Sequence, residues 1–140
     1  SITAALGISQ LNKIKKIISM RRNISENYTK KLEKIPSIEI VKEPKGVTHT
    51  FQFYNILLHN SLIRNSLLKY LENKGIMTKV FFYPIHSTKF YKQNLKKQFL
   101  PVTENISKRI LSLPLYPGMN QEEQSYVCDS IFEYFELVSK

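Results

Sequence analysis

At 140 residues the chain has room for one domain or two small ones, and can bury roughly two-thirds of its unfolded surface without covalent staples. A composition 42% hydrophobic and 11% aromatic, with only 4 Gly and 6 Pro, excludes disordered, collagen-like and low-complexity chains. The net charge of +10 points toward an anionic partner, while the single cysteine, Cys128, excludes an intramolecular disulfide, a cysteine-rich zinc site and an iron–sulfur cluster.

Apolar residues at Ile2, Ala5, Leu6, Leu11, Ile14, Ile18, Ile24, Tyr28, Leu32 and Ile35 recur in steps of three and four. This spacing predicts one helix running to Pro36, which lacks an N–H and restricts Ile35. Such a helix, about 33 residues and roughly 50 Å long, exceeds the width of a compact domain of this size. Its first half is therefore expected to pack on something absent here, either a partner chain or a missing N-terminal part of the same chain. Ile38 to Val41 reads as a short strand, Glu43-Pro44-Lys45-Gly46 as a turn, and His49 to Leu58 as a second strand. Asn60 or Ser61 caps a helix with apolar positions at Leu62, Ile63, Leu67, Leu68 and Leu71, and Gly75 stops it. A third strand is expected over Ile76 to Tyr83, then a polar, basic and aromatic loop over Ile85 to Leu100. Thr103 is read as the cap of a helix over Glu104 to Leu111, and 113–118 as too proline-dense for a central strand. Asn120 opens a final helix, with Glu122 and Glu123 in its first turn and Val127, Ile131, Phe132 and Phe135 buried. The expected fold class is α+β: a small mixed or antiparallel sheet with helices packed on one face, preceded by the long helix. Residues 1–35 form that linking helix and 36–140 the small domain.

The longest uncharged run, between Lys45 and Arg64, is too polar to span a membrane, and the start lacks the basic region and apolar core of a signal peptide. A cytoplasmic location is the resulting expectation, with no membrane partner. His49, His59 and His86 lie on separate segments in no metal-ligand spacing, so no metal is expected. No two glycines lie close enough for a phosphate-binding loop, and no acid–base pair of carboxylates stands out. Cys128 follows core Val127 and reads as a buried inert thiol, and His49 as structural. Only four of the 21 basic residues are arginine, so nucleic acid is not the expected partner. The segment densest in chemistry runs from Lys79 to Lys92. There a strand end delivers Tyr83 and His86 into a loop that also offers Lys89 and Tyr91, groups suited to phosphate oxygens.

Four segments together are similar to one known family. Ser1-Ile-Thr-Ala-Ala-Leu-Gly-Ile-Ser-Gln-Leu with Arg21-Arg22 resembles the start of the interdomain helix of the DegT/StrS sugar aminotransferases. Gly75-Ile76-Met77-Thr78 leading to Tyr83-Pro84-Ile85-His86, with Phe90-Tyr91 following, resembles that family's strand-and-loop motif. Leu111-Ser112-Leu113-Pro114-Leu115-Tyr116-Pro117-Gly118 resembles its late signature. The resemblance spans essentially the whole chain. It implies the C-terminal small domain of a fold-type I, pyridoxal-phosphate-dependent aminotransferase that aminates a nucleotide-linked keto-sugar, in the service of polysaccharide biosynthesis. It further implies an amino-acid donor and a homodimeric parent.

By the same resemblance, Tyr83 and His86 are the foremost substrate contacts, with Tyr91 behind them. Lys89 stands where many relatives have proline and adds a candidate phosphate contact. None of the sequence that surrounds the family's Schiff-base lysine is present. No catalytic or cofactor-binding residue is therefore assigned, the N-terminal cofactor domain is read as absent, and the chain alone is expected neither to hold the cofactor nor to transaminate. The competing reading is a stand-alone basic module for nucleic acid or another polyanion, supported by the +10 charge and the aromatic–basic mix at 79–97.

Overall fold

The computed structural model describes residues 1–81, 83–94 and 98–138. Helix α1 (Ile2–Leu11) and helix α2 (Ile14–Leu32) open the chain. The single long helix expected from the periodicity is thus divided at Asn12 and Lys13. The Lys13 N–H bonds to the carbonyl of Gln10 at 3.0 Å, three residues back, which tightens the turn. Asparagine favours such an ending because its side chain competes with helical backbone bonding. The two helices differ sharply in environment. Every residue of α1 is exposed, whereas α2 buries Ile24, Tyr28 and Leu32.

Strands β1 (Ile38–Ile40), β2 (Tyr54–Leu58) and β3 (Ile110–Leu113) form an antiparallel sheet in the order β1-β2-β3. Ile38 pairs with Leu58 on one side of the central strand, and Ile56 pairs with Leu111 on the other. Alternation then places Ile38, Tyr54, Ile56, Leu58, Leu111 and Leu113 on one face. That face meets α2, helix α3 (Ser61–Asn73) and helix α6 (Gln121–Val138) in a single apolar cluster with Tyr28, Leu67, Leu71, Val127 and Ile131. The opposite face carries Glu39, Asn55, Leu57 and Ser112. There Arg109 bonds the Leu58 carbonyl at 2.7 Å and Glu39 at 3.0 Å. The α+β class with an antiparallel sheet and helices on one face is what the sequence implied.

Local signals account for most helix boundaries. Asn60 Oδ1 accepts from the N–H groups of Leu62 and Ile63 at 2.9 and 3.0 Å, and Gly75 adopts φ +74° to end α3. Asn120 and Glu123 close a reciprocal capping box on α6, both bonds at 2.8 Å. On α6 it is Tyr134, with Val127, Cys128 and Ile131, that is buried, while Phe132 and Phe135 pack only partly covered. Leu62, expected inside, is exposed.

Three strand and helix assignments differ from expectation. The second strand begins at Tyr54 rather than His49, because Phe51 sits at φ +45°, which breaks extended pairing. The helix expected over Glu104 to Leu111 is α5 (Pro101–Arg109), with Leu100 rather than Thr103 at its cap and Pro101 opening its first turn, and Leu111 belongs to β3. Leu111 and Leu113 alternate with Ser112, a period of two that the strand satisfies and a helix would not. The third strand, expected over Ile76 to Tyr83, makes among the described residues one bridge only, Lys79 with Ser112; Phe82 lies outside them. The bridge stays isolated. The next paired positions on β3 are Pro114, which has no N–H, and Ile110, whose carbonyl accepts from Arg64 Nη1 at 3.1 Å.

Candidate functional site

The segment after Lys79 leaves the sheet edge and is shaped by Pro84. A 3-10 turn follows at Ile85–Ser87, then helix α4 (Lys89–Asn94). Thr88 Oγ1 donates to the Ile85 carbonyl at 2.8 Å and fixes the junction. Tyr83 projects into solvent with 69% of its surface exposed. His86 is different: only 14% of its side chain is exposed, and its Nε2 stands 3.2 Å from Glu104 Oε1 on α5. The same Oε1 accepts the backbone N–H of Leu100 at 3.3 Å. That backbone bond, and next the His86 contact, hold the Glu104 carboxyl below its ordinary range. Lys89 is exposed at the start of α4, and Tyr91 packs edge-on against Phe90, ring centroids 5.3 Å apart.

A cleft of about 490 Å³ lies between α3, the 83–87 segment and α5. Tyr83, Pro84 and Ser87 line it from the loop, Glu104 and Lys108 from α5, and Arg64 from α3. Of the four residues singled out in the sequence, Tyr83 lines this cleft and His86 braces it through Glu104. Lys89 and Tyr91 do not line it. Arg64, Glu104 and Lys108 carried no signal in the sequence reading, since they come from two helices far from the loop in the chain. The one available cue was Arg64 at the start of α3, among otherwise lysine-rich surroundings.

The other histidine of interest belongs to a clamp. Arg22 on α2 grips both oxygens of Glu43 at 3.1 and 3.0 Å and donates to the His49 carbonyl at 2.9 Å. The His49 N–H donates to Glu43 at 2.8 Å, and His49 Nδ1 accepts from Phe51 at 2.9 Å. Cys128 is fully buried, and burial pushes its thiol up to about 11, as an inert core cysteine requires. Among the described residues no group of three or more His, Cys, Asp or Glu could hold a metal ion, and no helix is long and apolar enough to cross a membrane.

The fold recurs in aminotransferases. The aminotransferase TlmJ of Streptoalloteichus hindustanus superposes with a TM-score of 0.90 at 22% identity, over 98% of this chain and 37% of its own. Helicobacter pylori PseC, an aminotransferase of pseudoaminic acid biosynthesis, gives 0.88 at 25% identity, over 96% and 37%. Residues 1–132 match the model of the DegT/DnrJ/EryC1/StrS aminotransferase family, and the chain belongs to that family. In sequence it is 31% identical to the GDP-perosamine synthase of Vibrio cholerae over 99% of this chain, and 33% identical to that of Escherichia coli O157:H7 over 96%. It spans 38% and 36% of those two proteins.

The family is pyridoxal-phosphate dependent, so the chain's lysines can be tested against that cofactor. A Schiff-base lysine is held in a desolvated pocket, with its amine free to attack. No described lysine is buried. The two half-buried lysines are engaged elsewhere, Lys31 on Ser125 Oγ at 2.9 Å and Lys74 on Glu133 at 2.7 Å. No described lysine therefore has the surroundings that a Schiff base requires, and no step of the chemistry is derived through the cofactor.

Proposed function

We propose that this chain is the substrate-gripping small domain of a pyridoxal-phosphate-dependent aminotransferase that moves an amino group from an amino-acid donor to a nucleotide-linked keto-sugar. On this reading residues 36–140 are the small domain and residues 1–35 link it to a cofactor domain that this chain does not contain. The bare apolar surface of α1 is what such a link would cover. The parent works as a homodimer in the cytoplasm, supplying amino sugars for polysaccharide biosynthesis.

The observation that carries this reading is the placement of the Tyr83-Pro84-Ile85-His86 motif. It stands at the rim of a cleft rather than in the core, with Tyr83 open to solvent and His86 held by Glu104. An aromatic ring and a phenol at a cleft rim suit a sugar or a base, and a histidine pinned by a carboxylate holds one orientation. Tyr91 and Lys89, on the short helix that follows, are read as further substrate contacts. In the protein that carries both domains, His86→Ala should raise KM for the nucleotide-sugar about tenfold or more, one charge-assisted hydrogen bond, with kcat less affected. An unchanged KM in both His86→Ala and Tyr83→Ala would remove this segment from the substrate site.

A further inference from the structure

Arg22 and Arg109 each meet a carboxylate, Glu43 and Glu39, at 3.0 Å. Arg64 forms no ion pair among the described residues. It donates Nη1 to the Ile110 carbonyl at 3.1 Å and Nε to Asn65 at 2.7 Å, which leaves three of its five N–H groups unspent. Burial pushes its pKa down, the mark of a cation short of counter-charge. Lys108, in the last turn of α5, lines the same cleft and makes no ion pair among the described residues. The hydroxyls of Tyr83 and Ser87, also on the cleft wall, bond no other described residue. Glu104 lines the cleft as well, and a bare carboxylate would repel an anion. Its Oε1 accepts from the Leu100 N–H and stands 3.2 Å from His86 Nε2, and the Lys108 charge also favours its ionised form, so the cleft sets two cations against one carboxylate.

We propose that this cleft is a phosphate subsite, in which the Arg64 fork and the Lys108 ammonium take the phosphate oxygens and the hydroxyls of Tyr83 and Ser87 complete the donor set. A planar guanidinium, an ammonium and two hydroxyls converging from three elements match a tetrahedral oxyanion better than a single carboxylate, which the Arg64 fork alone would satisfy. The volume of about 490 Å³ admits a diphosphate with part of its attached group. The inference rests on the reading that the loop meets a nucleotide-linked sugar. It adds to that reading two residues outside the loop and a chemical role for each.

The test is an NMR titration of the 140-residue chain with inorganic diphosphate, and in parallel arms with GDP and UDP, at constant low ionic strength. Diphosphate should shift the amides of Tyr83, Ser87 and Ser107. Lys108→Gln, an exposed position that leaves the fold intact, should weaken that binding about tenfold. Arg64→Gln should abolish it. Shifts confined to the lysine-rich face of α2, or equal affinity in Lys108→Gln, would overturn the subsite. If a nucleotide binds with shifts at Tyr83 and His86 while both variants bind as the parent does, the subsite falls and the substrate reading stands. If inorganic diphosphate binds in the cleft as tightly as either nucleotide, the subsite stands and the nucleotide reading loses its support.

Discussion

Arg22 does more than solubilise α2. Its guanidinium ties the 43–51 loop to the helix through Glu43, the His49 carbonyl and, at 5.7 Å, the face of the Phe51 ring. This clamp is the counterpart of the unusual φ of Phe51, because a bulky residue persists in that region only where its surroundings hold it. The Arg22 hydrogen bonds, and then the His49 N–H, keep the Glu43 carboxyl below its ordinary pKa. A depressed folded value means that the clamp contributes fully above the unfolded glutamate range and is lost as pH falls through the lower folded value. The amide signals of His49 and Phe51 should therefore move together in a step below the ordinary carboxylate range. Glu43→Gln should erase that step. A step that survives in Glu43→Gln would assign the titration to another group.

The elements divide by how local their instructions are. Asn60, Gly75 and Asn120 act on the residues beside them, so the boundaries of α3 and α6 could be read from the chain. Removing the Asn120 cap by Asn120→Ala should cost about 1 kcal/mol and lower Tm by about 2–8 °C in a thermal melt. An unchanged Tm would show that the capping box is idle. β3 was not legible, for a reason that is equally physical. It follows α5 with no intervening turn residue, is four residues long, and pairs with β2 more than fifty residues away in sequence. The alternation of Leu111, Ser112 and Leu113 is too short to separate a helix end from a strand until Tyr54 and Ile56 are opposite it. The same distance hid half of the candidate site. Tyr83 and His86 lie close together in sequence and share a motif, whereas Arg64 and Lys108 meet them only because α3 and α5 converge at the sheet edge.

At the scale of the whole molecule the chain has two unequal parts. From Ile24 onward it builds one core, while α1 presents Ile2, Leu6, Ile8 and Leu11 to solvent, each more than 60% exposed. Since α1 buries nothing, deleting residues 1–12 should leave Tm within about 3 °C, the range of a surface change. A larger fall would mean that α1 supports the core. The outer border of β3 has a consequence of its own. Lys79 covers one rung, Pro114 withholds a donor at the next, and Arg64 occupies the carbonyl at the third. A bare strand margin is a template for runaway stacking between copies. Here the arginine that awaits an anion also shutters that margin, so a lineage discarding it would sacrifice ligand capture and colloidal safety in one stroke.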